Sequence, residues 1–161
     1  MMKRILSLPG WALFCIFLLF FLIDYYLFEP LWGIAIGTMV PVFIWIYSLG
    51  MIGSRTSPET VKMSGRKFQA ALSYTVGYHI IAGLHLDAGV PYGIKGPFIL
   101  LAWFSFLYSI YFVAKCIKSI ELNREAMPTD YIAIFFGLLL YPIGVWFIQP
   151  KIQHKVNTKN I

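Results

Sequence analysis

The amino-acid sequence predicts an all-α protein: a polytopic transmembrane helical bundle of four spans plus a fifth, proline-broken apolar segment. Three observations lead there. First, 59% of the residues are hydrophobic, 18% are aromatic and 12% are charged. A soluble domain carries roughly 25% charged residues, so this chain has too few polar side chains to cover itself against water, and lipid is its expected solvent. Second, the apolar residues fall in five runs, 9–28, 31–52, 68–86, 98–114 and 131–149, and most approach the ~20 residues that cross a hydrocarbon layer of ~30 Å as a helix. Third, the basic residues sit in short clusters beside those runs, as cytoplasmic flanks facing anionic lipid do. All 161 residues are expected to form a single integral membrane domain, with cytoplasmic loops at 53–67 and 115–130.

The first run, Pro9 to Phe28, follows Lys3 and Arg4. Trp11 stands near one end and Tyr25 and Tyr26 near the other, where interfacial anchors belong. No small-x-small cleavage site follows the run, so an uncleaved first span is expected rather than a removed leader. Glu29 and Pro30 then turn the chain, because proline disfavours helix at the residue before it. In the second run Gly33 and Gly37 form a GxxxG pair that would let a neighbouring helix approach closely. Pro41 predicts a kink, and Trp45 and Tyr47 are expected near the inner interface. Gly53 to Lys67 reads as a loop by its glycine, serine and proline content.

The third run, Phe68 to Leu86, is the most polar of the five. At 100° per residue Tyr74, Tyr78 and His85 fall on one stripe, and Thr75 and His79 on another. Lipid would penalise either stripe, so this helix is expected to pack inside the bundle. A turn-rich loop, Asp87 to Pro97, leads to the long apolar helix Phe98 to Ala114. The helix should continue past the membrane into a charged ledge that carries Lys115, Lys118, Glu121 and Arg124. Lys118 and Arg124 each lie three residues from Glu121, at pairing distance on a helix. Met127 and Pro128 are expected to end the helix, with Thr129 or Asp130 capping the next. In the fifth run Pro142 lacks an amide hydrogen and Gly144 loosens the chain beside it, so the helix is expected to break there. Broken backbone at membrane depth is tolerated where protein covers it. A re-entrant or interfacial segment is therefore expected, a kinked fifth span being the alternative. Gln149 would line a small polar site in the re-entrant arrangement.

Charge counting favours the same wiring. The chain has thirteen Lys and Arg residues. With the amino terminus in the cytoplasm, five full spans put nine inside and four outside, whereas a returning fifth segment puts twelve inside and leaves Lys95 outside. A third run that fails to span gives ten and three. The positive-inside rule prefers the twelve-to-one arrangement.

Three stretches carry a family resemblance: WIYSLG (Trp45 to Gly50), YFVAKCIKSIELNRE (Tyr111 to Glu125) and PIGVWFIQPKI (Pro142 to Ile152). In these the chain resembles a family of short, uncharacterised multi-span proteins of the inner membrane of Bacteroidota-type Gram-negative bacteria. The likeness covers about a third of the chain, mostly its second half, and Phe68 to Pro97 is more polar than the family pattern. It implies a bacterial location in the inner, cytoplasmic membrane and carries no activity with it.

Candidate chemistry is sparse. His79 and His85 stand about 120° apart on a helix and cannot share a ligand there. Asp24, Glu29 and Asp87 could form an acidic mouth for cations, or be ordinary loop charges. Cys15 and Cys116 read as free thiols at different depths. No catalytic, nucleotide-binding, zinc or RNA-binding motif is present, so no cofactor, metal or nucleic acid is expected. The expected partners are the bilayer and a second copy or another membrane protein. The function this leaves is that of a non-enzymatic accessory or scaffold subunit, self-associating through Gly33 and Gly37. A small transporter or channel subunit using the polar third run is the alternative, and a membrane-embedded lipid enzyme has least support.

Overall fold

A computed structural model describes residues 7–27, 39–57, 63–84, 89–140 and 144–150, without the side chains of residues 23–27 and 92. Among the described residues the chain is all α. The helices are α1 (Gly10–Leu27), α2 (Met39–Thr56), α3 (Gly65–Gly83), α4 (Tyr92–Leu122) and α5 (Pro128–Leu139), followed by a short α6 at 144–150.

α4 is the axis on which α2, α3 and α5 pack. Its 31 residues extend about 46 Å at 1.5 Å per residue, which absorbs both flanks of the predicted apolar run. At the front it takes in most of the expected loop. Pro97 is tolerated inside the helix because the carbonyl it deprives of an amide belongs to Gly93, at the exposed helix start. At the back α4 stops at Leu122, earlier than the expected Met127-Pro128 boundary. Asn123 adopts the left-handed conformation (φ 51°, ψ 30°) there, which its short polar side chain permits. Pro128 opens the next helix instead, at a position where a missing amide costs nothing.

The predicted loop 53–67 is also shorter than expected. α2 runs on to Thr56, and the hydroxyls of Ser54, Thr56 and Ser57 turn back onto the carbonyls of Met51, Ile52 and Gly53 at 3.0, 2.7 and 2.6 Å. The Gly53 carbonyl also accepts from the Ser57 amide at 2.9 Å, so these polar side chains are satisfied on the last turn without leaving the helix. α3 then opens early, at Gly65, where Ser64 accepts from the Lys67 amide.

Among the described residues close helix contacts are made at Gly50, Gly53, Gly137 and Gly144; the predicted pair, Gly33 and Gly37, lies outside them. Gly50 of α2 receives the ring of Phe68, which stacks on Phe112 of α4 at 4.7 Å and 17°. One turn on, Gly53 meets Cys116, whose Cβ lies 2.9 Å from where a glycine Cβ would be. Phe68 and Phe112 are fully buried, as are Trp45, Ile46, Ile110 and Val113. Trp45 is thus a core residue, turned into the bundle.

The fifth apolar run forms two helices. Pro142 lies outside the described residues, but the role of Gly144 is clear and differs from the expected one. A side chain on Gly144 would fall on the Gly137 carbonyl of α5, so this glycine permits a backbone-to-backbone approach. α6 then lies beside the start of α1: Gly10 faces the Val145 carbonyl, and Phe14 and Trp146 pack at 5.8 Å.

One helix, over Gly93–Leu122, is long and apolar enough to cross a membrane, while Gly10–Leu22 and Pro128–Leu139 are apolar but shorter. Four full-length spans are therefore not all present as such among the described residues. Residues 31–38 of the predicted second span lie outside them, and the polar side chains of α3 dilute its apolar character.

The glycine contacts predict opposite outcomes at two positions. Gly50→Leu drives a side chain into the Phe68–Phe112 stack and should cost about 1–3 kcal/mol. Gly77→Ala, where an added Cβ meets nothing within 4 Å, should leave stability unchanged or raise it by up to about 1 kcal/mol. Thermal unfolding in mild detergent, followed by circular dichroism, measures both.

Candidate functional site

Two of the buried polar side chains tie helices together, Gln149 at a joint and Thr75 along a seam. The joint is centred on Gln149 of α6, whose side chain is 0% exposed. Its carbonyl Oε1 accepts from the Trp45 indole Nε1 at 3.1 Å, and its Nε2 donates to the Leu8 carbonyl at 3.0 Å. One carboxamide thereby ties α6 to α2 and to the segment entering α1. The sequence placed Gln149 beside a possible polar site; the fold instead uses both ends of its amide to hold three parts of the chain together. Trp45 and Gln149 come from the WIYSLG and PIGVWFIQPKI stretches. Phe112 stacks on the ring that fills the space above Gly50.

The seam runs along α3, and the two predicted stripes separate there. Thr75 and His79 face inward. The Thr75 hydroxyl, 0% exposed, lies 3.0 Å from the Ala71 carbonyl and 3.4 Å from that of Ala102 on α4. His79 Nδ1 lies 2.8 Å from the Thr75 carbonyl, a contact that requires the proton on Nδ1. Its ring meets Phe43 of α2 edge-on at 5.4 Å. Tyr74 and Tyr78 face the other way, toward the first turns of α4, and the Tyr74 hydroxyl donates to the Phe98 carbonyl at 3.4 Å. His85, the remaining member of that stripe, lies outside the described residues.

Two apolar clefts flank α3 and share Gly77. One, of about 590 Å³, opens between α2 and α3 and is lined by Phe43, Ile44, Tyr47, Leu72, Val76 and Ile80 among others. The second, of about 400 Å³, opens between α3 and the start of α4, with Tyr74, Tyr78, Ile81, Ile94 and Phe98 on its walls and Lys95 at its edge. Both lie within the range of roughly 300–1,000 Å³ typical of small-molecule sites. Thr75 and His79 line neither cleft, so the polar residues of α3 do not converge on one shared cavity among those described. No Lys95 signal separates it from other loop cations in the sequence; only the continuation of α4 back to Tyr92 sets it over the cleft.

The charged ledge is a knitted corner. Lys115 pairs with Glu125 at 2.7 Å and Lys118 with Glu121 at 3.0 Å. Arg124, predicted to sit near Glu121, reaches forward to Asp130 at 3.0 Å. Beneath them the buried Ser119 hydroxyl accepts from the Ala126 amide at 3.0 Å, and Asp130 accepts from the Met127 amide at 3.0 Å. These bonds lock the turn between α4 and α5, whereas exposed ion pairs add at most about 1 kcal/mol each. The Met127 amide, then Arg124, hold the Asp130 carboxyl below its ordinary value. Asp24 has no described side chain, and Glu29 and Asp87 lie outside the described residues, as do the basic residues of both termini. Among the described residues no three His, Cys, Asp or Glu side chains stand together as metal ligands would.

Comparison with protein-family models, with curated proteins and with solved structures finds no match to this chain.

Two outcomes test this geometry. Gln149→Leu buries the Trp45 N–H without its acceptor and should cost about 1–3 kcal/mol for that group alone. Adding Trp45→Phe should recover part of the loss, so the two changes are non-additive in a denaturation series. For Asp130, the folded carboxyl is depressed, so its stabilisation is present above its ordinary value of 3.8 and is lost as pH falls through the lower folded value. The protection of the Met127 amide relative to the intrinsic exchange rate should fall over that acid window, and Asp130→Asn should remove that fall.

Proposed function

We propose that this chain is a multi-span protein of a bacterial inner membrane, with its amino terminus cytoplasmic, and that it acts as an accessory or scaffold subunit rather than an enzyme. The observation that carries this reading is the distribution of large apolar side chains. Leu18, Leu19 and Phe21 on α1, Leu100, Trp103 and Phe104 on α4, Ile132 and Phe136 on α5, and Trp146 and Phe147 on α6 all point outward. Phe104 and Phe147 are 66% and 70% exposed. Monomeric soluble proteins rarely carry contiguous apolar patches beyond a few hundred Å², and lipid or an apolar partner removes the cost.

The burial of Thr75 in the α3 seam favours a scaffold over a transporter. A transport path needs polar groups that meet water on one side; Thr75 is sealed and its hydroxyl is spent on backbone carbonyls. The fold-back of α6 onto the start of α1 supports a returning fifth segment, which would put both ends of the chain on one side. Gly144, packed on the Gly137 backbone, has the protein cover that broken backbone in a membrane needs.

Sidedness tests the wiring. In a Cys15→Ser, Cys116→Ala background, single cysteines are placed at Lys95, Glu121 and Lys155 and probed with a membrane-impermeant maleimide. Position 95 should label from the periplasmic side, and 121 and 155 from the cytoplasmic side. Labelling of 95 and 121 from one side would remove α4 as a span; labelling of 155 with 95 would make the last segment a full crossing. Purification in mild detergent tests the role. A defined oligomer or a co-purifying membrane protein is expected, and a clean monomer alone would overturn the scaffold assignment.

A further inference from the structure

The larger cleft, between α2 and α3, is the apolar part of a longer groove whose chemistry is ordered from one end to the other. It holds about 590 Å³ and is lined by one stripe from each helix, with Ile44 and Ser48 on α2 and Ser73, Gly77 and Ile80 on α3. Phe43 and Leu72 are buried and make its floor, while Ile44 and Ile80, 40% and 45% exposed, make its rims. Both stripes continue to a cation. Arg55, in the last turn of α2, lies seven residues beyond Ser48, and Arg66, in the first turn of α3, lies seven before Ser73. Seven residues are two helical turns, so both arginines return to the face of the groove.

The two helix ends touch: a Cβ on Gly65 would lie 3.5 Å from the Ser54 hydroxyl oxygen, which sets Arg55 and Arg66 on either side of one mouth. Both are exposed, and among the described residues neither takes part in an ion pair or a side-chain hydrogen bond. The excess of positive charge holds for the whole sequence. Residues 53–67 carry Arg55, Lys62, Arg66 and Lys67 against Glu59, and the three acids of the ledge are engaged by its own three cations. The remaining acids, Asp24, Glu29 and Asp87, precede α2 or follow α3 in the chain. Between mouth and cleft the polarity is intermediate. Gln69 Nε2 donates to the Met51 sulfur across the groove at 3.1 Å and keeps a second hydrogen to donate. The Ser73 hydroxyl stands exposed one turn on. Cation, then amide and hydroxyl, then hydrocarbon is the order of phosphate, ester and acyl chain in a phospholipid. Arg66 to Ser73 spans ~10 Å at 1.5 Å per residue, which leaves room for the glycerol and its esters.

We propose that the α2–α3 groove binds one anionic phospholipid, with its phosphate between Arg55 and Arg66 and one acyl chain along Ser73, Gly77 and Ile80. This rests on the chain being embedded in a membrane, as proposed above, and places the lipid in the cytoplasmic leaflet. Each guanidinium presents paired N–H donors to phosphate oxygens. The start of α3, with no acid in its first turn, adds the positive end of its dipole. The exposed rims leave the groove open along its side, so the acyl chain settles over the Gln69–Met51 bridge rather than through it. A second copy of the chain is a poorer occupant. In the same orientation it would bring its own Arg55 and Arg66 to this level, and like charges would repel.

The test is photolabelling of the full-length protein in phosphatidylcholine vesicles. They are doped with phosphatidylglycerol bearing a diazirine on one acyl chain, or with the matching phosphatidylcholine probe. Mass spectrometry of the adducts should show phosphatidylglycerol enriched on peptides holding Ile44, Val76 and Ile80. Arg55→Gln and Arg66→Gln should each lower that labelling about fivefold, the effect expected for one basic residue beside an anionic headgroup, and leave adducts at Trp103 and Phe136 unchanged. Gly77→Leu, which fills space where an added Cβ meets nothing within 4 Å, should reduce groove labelling by both probes. Equal groove labelling by the two probes, or labelling indifferent to the arginine changes or to Gly77→Leu, would overturn the site. Adducts across the outward faces of α4 and α5 with none favoured in the groove would sink this inference and keep the membrane reading. No adducts anywhere would sink the membrane reading itself.

Discussion

A buried carboxamide must satisfy its donor and its acceptor or pay several kcal/mol in an apolar interior. Gln149 meets that demand with the Trp45 indole on one side and the Leu8 carbonyl on the other. Each bond is modest, but together they specify where three separate stretches must stand. α6 can fold back only if its last turn reaches the segment before α1, and α2 must present Trp45 at the same level. The direction of the fifth apolar run follows from that joint.

Around it, the helices pack by close approach. Gly50 and Gly53 bring α2 against Phe68 and Cys116, and Gly137 and Gly144 bring α5 and α6 to backbone contact. In lipid, where burying apolar surface between helices gains little over burying it in acyl chains, such dispersion contacts and interhelical hydrogen bonds carry the association. Thr75 contributes one of the latter, toward Ala102 of α4. Among the described residues no buried side-chain nitrogen or oxygen lacks a hydrogen-bond partner. The polar side chains of α3 are thus absorbed by the fold or turned toward a cleft.

The same division shapes the proposed roles. Inside, the buried polar side chains described are hydrogen-bonded within the protein; outside, the described residues present apolar surface, two recesses beside α3 and a charged corner held by Ser119 and Asp130. In the proposed role the molecule acts through its surface, on lipid or on another protein. Its proposed sidedness sets the recess beside the start of α4 and the corner on opposite leaflets, at the two ends of α4.

The all-helical class was legible from composition and from apolar run lengths alone, because both follow from the solvent the side chains require. So were the continuation of α4 into the ledge, the Lys118–Glu121 pair and the break near Gly144, since each rests on neighbours a turn or two apart. What sequence could not say is which residues a hundred positions apart would meet. Trp45 was placed by sequence only near an end of its apolar run; that it turns inward and meets Gln149 is decided by the packing. Gly50 and Gly53 escaped notice because a glycine's packing role depends on what lies opposite it. Their partners, Phe68 and Cys116, are brought there by α3 and α4. Local chemistry determined the helices; the tertiary structure decided their contacts, because those depend on shape and hydrogen bonding between surfaces that a linear pattern does not pair.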